Sequence, residues 1–145
     1  MKGLIQRVKS ASVNVNDKKV ASIDIGILLL LGIEKGDDVL QVEKMARKVF
    51  NYRIFSDADG KMNKSLTDIN GELLVVSQFT LVADTTKGNR PGFSKGAAPA
   101  HGEFIYQSFI EHVRSEYSEC KTGVFGADMA ITLINDGPVT FWIET

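Results

Sequence analysis

Leu73-Leu74-Val75-Val76-Ser77-Gln78-Phe79-Thr80-Leu81-Val82 is the strongest strand signal in the chain: an apolar run with a polar stretch inside it. In an alternating strand Ser77 and Phe79 share one face, and Gln78 and Thr80 share the other. A buried Gln-Thr pair must find partners. Two readings stay open. The polar residues pair with a neighbouring strand, or they form a small site whose hydroxyls and amide N–H groups face a ligand and hold a developing oxyanion.

Working outward, Leu4–Val8, Ala11–Val15 and Lys19–Ile25 alternate apolar and polar residues and are predicted strands, with Asn16-Asp17 as a turn. Ile27–Ile33 is continuously apolar and suits a strand buried on both faces. The period then changes. Asp37 or Asp38 caps a predicted helix whose apolar face is Val39, Val42, Met45-Ala46 and Val49-Phe50. Asp57–Gly60 and Ile69-Asn70-Gly71 read as turns. Pro99 suits the first turn of a second helix carrying Phe104-Ile105, Phe109 and His112-Val113. With no repeat, linker or low-complexity tract, residues 1–145 read as one α+β domain.

Near the C-terminus, Met129–Ile134 and Val139–Ile143 are apolar segments flanking Asn135-Asp136-Gly137-Pro138. Asp-Gly predicts a hairpin turn there. The proline removes a backbone donor and opens the option of a cis peptide bond. The stretch is either an ordinary turn or a rigid loop that aims carbonyl oxygens at a ligand. Thr86–Gly96 is the longest predicted loop, glycine-rich and basic. Its Lys87-Gly88-Asn89-Arg90 suits a nucleic-acid phosphate or is simply solvated.

With 17 Lys and Arg against 18 Asp and Glu the net charge is −1, which argues against a protein that coats nucleic acid non-specifically. A single cysteine, Cys120, cannot close an internal disulfide and fits a reducing, cytoplasmic setting. The Ile27–Leu31 run is far too short to span a bilayer, and the N-terminus has no signal-peptide pattern, so no membrane partner is expected. His101 and His112 lie eleven residues apart on the second helix, about 16 Å along its axis, too far to share a metal ion. There is no zinc spacing, no phosphate loop of the Gly-Lys-Ser/Thr type and no dinucleotide fingerprint, so no metal or cofactor is expected. No histidine stands at a triad-like spacing from Ser77 or Thr80.

Five separated segments occur in one order: Leu4-Ile5-Gln6-Arg7-Val8 with Ala11-Ser12-Val13; Ser77-Gln78-Phe79-Thr80-Leu81; Lys87-Gly88-Asn89-Arg90-Pro91; Thr122–Met129; and Asn135–Thr140. Over its whole length the chain thereby resembles the D-aminoacyl-tRNA deacylases, hydrolases that remove D-amino acids from mischarged tRNA. One departure is Gly92, where such enzymes often carry serine, and it touches only local loop contacts. The resemblance implies a compact, antiparallel-rich, barrel-like sheet with two main packing helices, acting as a homodimer without a cofactor or DNA partner. It implies that Ser77, Gln78, Phe79 and Thr80 floor the catalytic pocket. It also implies a cis Gly137-Pro138 bond, reaching with Asn135 into the other subunit's site and supported by Arg7. The terminal adenosine of tRNA is expected near Phe125 and Met129.

On that reading the carbonyls of Gly137 and Pro138 accept hydrogens from the substrate's α-ammonium group, while the backbone collides with the Cβ of an L residue. Glycyl esters, lacking Cβ, escape that exclusion. The nucleophile is either Thr80, or water or a ribose hydroxyl with the Phe79 N–H holding the oxyanion. The second is preferred because no base sits beside Thr80 in sequence. Two other functions remain open: a non-catalytic RNA- or nucleotide-binding module, and a Ser/Thr esterase of small metabolites.

Overall fold

A computed structural model describes residues 1–145. Eight strands form: β1 (Lys2–Val15), β2 (Lys18–Ile23), β3 (Gly26–Gly32), β4 (Phe55–Ser56), β5 (Met62–Lys64), β6 (Glu72–Ser77), β7 (Lys121–Thr122) and β8 (Ala130–Glu144). Three α-helices join them: α1 (Val39–Asn51), α2 (Leu66–Ile69) and α3 (Pro99–Glu116).

The main sheet runs β2-β1-β3-β6-β7, with β8 along the other side of β1, while β4 and β5 form a small separate ribbon. β1 pairs antiparallel with β2, β3 and β8, whereas β3–β6 and β6–β7 are parallel. The sheet is therefore mixed rather than simply antiparallel. It curls nearly into a barrel, bringing β2 against β6 and β7.

The continuous apolar runs in β3 and β6 are explained by burial on both faces. Leu28, Leu74 and Val76 point into the curl with Val8, Ala11, Val13 and Ile23. Ile27, Leu29, Leu31, Leu73 and Val75 point the other way, under α1 and α3. Asp38 is the N-cap of α1, in a capping box with Gln41. Its neighbour Asp37 is instead buried, accepting from the Met1 ammonium at 2.6 Å and from the Glu34 N–H at 2.7 Å. Helix α1 buries Val42, Met45, Ala46, Val49 and Phe50, but Val39 is exposed. Helix α3 starts at Pro99 as expected and buries Ile105, Phe109 and Val113, while Phe104 faces solvent.

Three sequence expectations change. The first two predicted strands are one, β1, irregular where Val8 and Ser10 shift register against β8. The strand predicted to run to Val82 ends at Ser77, and Phe79–Val82 is a 3-10 turn. The hairpin predicted at Asp136-Gly137 does not form. β8 passes through that point and pairs with β1 on both sides of it, with a register shift between Gln6 and Val8. Long-range pairing to β1 overrides the local turn signal.

Candidate active site

Gln78 leaves the sheet. Its N–H still donates to the Leu31 carbonyl at 2.8 Å, but the chain then tightens into the 3-10 turn, with Leu81 N–H on the Gln78 carbonyl at 3.2 Å. Gly32 makes room for this. A Cβ there would stand 3.0 Å from the Leu81 Cβ and 3.2 Å from the Gln78 carbonyl oxygen. The amides of Phe79 and Thr80 precede that first turn bond and have no acceptor within the turn.

The end of β6 opens onto a cavity of about 640 Å³. Ser77, Gln78 and Phe79 line it at that end. Leu31 and Ile33, the start of α3 (Pro99, Gly102) and Phe125–Met129 line the rest. Thr80 is not among the lining residues. Rather than a buried Gln-Thr pair, the structure shows an exposed hydrogen bond in which Gln78 Nε2 donates to Thr80 Oγ1 at 2.6 Å. The cavity is mainly apolar, and Asp128 is the one ionisable residue lining it. Sequence reading passed over Asp128. It also passed over Leu31, Ile33, Pro99 and Gly102, whose apolar or small side chains announce packing rather than chemistry.

The chain at Gly123–Phe125 is braced by its neighbours. The Gly123 N–H donates to the Val75 carbonyl at 2.9 Å, and the Tyr106 hydroxyl donates to the same oxygen at 3.0 Å. The Tyr106 ring lies 5.6 Å from that of Phe125. Burial pushes the Tyr106 hydroxyl well above the ordinary tyrosine range, so it remains a donor.

Arg7, Asn135, Gly137 and Pro138 form a second group. Arg7 Nε donates to the Asp136 carbonyl at 2.8 Å, and its Nη1 donates to the Ile54 carbonyl. Asn135 Oδ1 accepts from the Val139 N–H at 2.6 Å, while its Nδ2 donates to Thr140 Oγ1 at 3.0 Å. The Gly137–Pro138 peptide is cis, and Gly137 has φ +149°. The structure does not bring this group to the Ser77 cavity. Arg7 lies opposite Ile27 of β3, whereas Ser77 lies opposite Leu31. Four strand residues separate those positions, about 13 Å along the strands. Gly137 and Pro138 are exposed at the opposite end of the sheet.

His101 and His112 serve elsewhere: the first contacts the Asp37 carbonyl at 3.0 Å, and the second lies edge-on to Tyr117. No group of three or more His, Cys, Asp or Glu residues is placed to hold a metal ion.

The family profile described as D-Tyr-tRNA(Tyr) deacylase matches residues 4–144. A D-aminoacyl-tRNA deacylase of Alteromonas mediterranea is 57% identical over 141 residues, 97% of either chain. One from Pectobacterium atrosepticum is 52% identical over 145 residues, 100% of either chain. Among solved structures, one named c-Myc DNA Unwinding Element Binding Protein superposes with a TM-score of 0.96 at 42% identity, covering 100% of this chain and 99% of that one.

Proposed function

Since the chain belongs to the D-aminoacyl-tRNA deacylase family, and so hydrolyses the ester of D-aminoacyl-tRNA, we propose that the cavity beyond β6 receives the 3′ end of that substrate. The observation that carries this is the cavity itself: mainly apolar, lined by Phe125 and Met129 and, at the end of β6, by the unpartnered start of a 3-10 turn. An adenine ring fits between apolar walls, while the ester carbonyl needs a donor such as the Phe79 N–H.

In the proposed reaction water adds to the ester carbonyl carbon. The carbonyl oxygen gathers negative charge and accepts from the Phe79 N–H. The carbon–oxygen ester bond then breaks, and the proton given up by water ends on the ribose oxygen. Free D-amino acid and tRNA leave. Thr80 is not the nucleophile in this scheme. Its hydroxyl lies outside the cavity lining and accepts from a Gln78 amide, which cannot remove a proton. The neighbouring ribose hydroxyl of the substrate orients the water.

Chirality is read by the Gly137 and Pro138 carbonyls of a second copy in a homodimer. What supports this is that the motif is exposed, rigidly braced by Arg7 and Asn135, and remote from its own chain's cavity. Backbone set against the substrate's Cα excludes an L side chain and admits hydrogen, so glycyl-tRNA is hydrolysed too. Residues 1–145 act as one cytoplasmic unit, and no helix is long and apolar enough to cross a membrane.

The test measures release of free tyrosine from D-Tyr-tRNA and L-Tyr-tRNA by the wild type and by Gly137→Ala. A Cβ at Gly137 would lie 2.6 Å from Val139 Cγ2 and 2.8 Å from Val139 N, at a φ that L residues rarely adopt, so the loop must move. Release from the L-ester should rise relative to the D-ester. An unchanged ratio with the loop displaced would sink the chirality reading. Covalent labelling of Thr80 by the substrate's acyl group would overturn the mechanism.

A further inference from the structure

We propose that the exposed Phe79–Phe93 ring pair and the cations around it form a stacking platform for the unpaired nucleotides that precede the terminal adenosine. The proposal rests on the reading of the cavity as the site of that adenosine. Phe79 is 66% exposed and Phe93 42% exposed, and their ring centroids lie 5.1 Å apart with planes tilted by 50°. Phe79 also lines the cavity, so the pair begins at its rim and extends outward.

The segment that presents Phe93 is held in place by the backbone. Asp84 and Gly92 exchange hydrogen bonds of 2.7 and 2.9 Å, and a turn is closed by Gly96 N–H on the Phe93 carbonyl. Lys35 N–H on the Lys95 carbonyl and Ala97 N–H on the Ile33 carbonyl, both at 3.1 Å, tie the end of the segment to the chain just beyond β3. From Thr85 to Gly96 the segment carries Lys87, Arg90 and Lys95 and no carboxylate. All three are exposed, and no ion pair engages them. The nearby acid, Asp84, accepts from the Thr86 hydroxyl and N–H at 2.7 and 3.0 Å. Its carboxyl is held below the usual range by these bonds and in part by the Lys95 charge, which leaves Lys87 and Arg90 as the cations open to a ligand.

Aromatic faces in solvent beside unpaired cations match what a single nucleic-acid strand offers, bases to stack and phosphates to neutralise. A single RNA strand brings one negative charge per nucleotide to Lys87 and Arg90, which no carboxylate of this chain pairs with. Stacking reads no base edge, so the platform accepts any base.

The experiment compares D-Tyr-tRNA with D-tyrosyl-adenosine, which has the terminal nucleoside but nothing before it. For Phe93→Ala, KM for the tRNA should rise about tenfold with kcat unchanged, and hydrolysis of D-tyrosyl-adenosine should stay at the wild-type rate. Phe93→Tyr should behave as wild type. Lys87→Ala with Arg90→Ala should flatten the dependence of log KM on log salt for the tRNA by about 1.4, two single-strand phosphate contacts. An unchanged KM for the tRNA, an equal loss on both substrates, or a Phe93→Ala protein that changes its sedimentation would overturn the platform. Failure of the wild type to act on D-tyrosyl-adenosine while acting on D-Tyr-tRNA would strike at the cavity reading instead, and remove the platform's footing.

Discussion

Thr80 accepts from Gln78 Nε2 and stands outside the cavity lining, so in the proposed mechanism its side chain orients Gln78 and does not attack the ester. Losing one such hydrogen bond costs about 1 kcal/mol, so Thr80→Ala should lower single-turnover hydrolysis of D-Tyr-tRNA by no more than about tenfold. A loss beyond about a thousandfold with the fold intact, seen by circular dichroism, would restore Thr80 as nucleophile. Arg7 is a different case. Its side chain is only 12% exposed and serves the carbonyls of Asp136 and Ile54. Arg7→Ala strips a charged donor from two half-buried acceptors and should cost about 2–3 kcal/mol in urea denaturation. Arg7→Lys should recover only part, since one ammonium cannot reproduce the planar fork. Arg7 drew notice in the sequence through the resemblance alone. Nothing in an alternating strand marks which arginine will reach two carbonyls far off in the chain.

The irregular middle of β8 is held by one side chain used three ways. Asn135 accepts from the Val139 N–H and donates to the Val139 carbonyl and Thr140 Oγ1. Asn135→Ala should destabilise the protein by about 1–2 kcal/mol and loosen residues 136–138, read as faster amide exchange there than in the rest of β8. An unchanged exchange rate would mean that Arg7 alone fixes the segment. This element also shows where sequence reading stops. Asp136-Gly137 has the local chemistry of a hairpin turn, but the partner that decides the matter is β1, at the other end of the chain. The Ser77–Val82 stretch misleads for a related reason. Its apolar run continues past Ser77, yet the backbone turns because Gly32, on the neighbouring strand, leaves room for Leu81. By contrast β3, α1 and the Pro99 start of α3 were readable, because apolar periodicity and capping are local signals.

At the scale of the whole molecule, one chain holds a cavity at one end of the sheet and an exposed Gly137-Pro138 motif at the other. β8 carries the motif and pairs only with β1, leaving a free edge with Ile134 56% and Trp142 45% exposed. A two-fold dimer would set each motif against the partner's cavity, giving two composite sites. Complementation tests this more sharply than dilution, because it distinguishes a shared site from a dimer needed only for stability. Phe125→Ala damages the cavity wall and leaves the motif intact, whereas Gly137→Ala displaces the motif and leaves the cavity intact. Each variant alone should be impaired in discriminating hydrolysis of D-Tyr-tRNA over L-Tyr-tRNA. Mixed, exchanged to equilibrium and assayed together, half of the dimers are hybrids, and each hybrid holds one site with both a sound cavity and a sound motif. About a quarter of wild-type discriminating activity should therefore return. If the mixture gives only the average of the two variants while hybrid dimers are seen by native mass spectrometry, each chain completes its own site and the shared site is refuted.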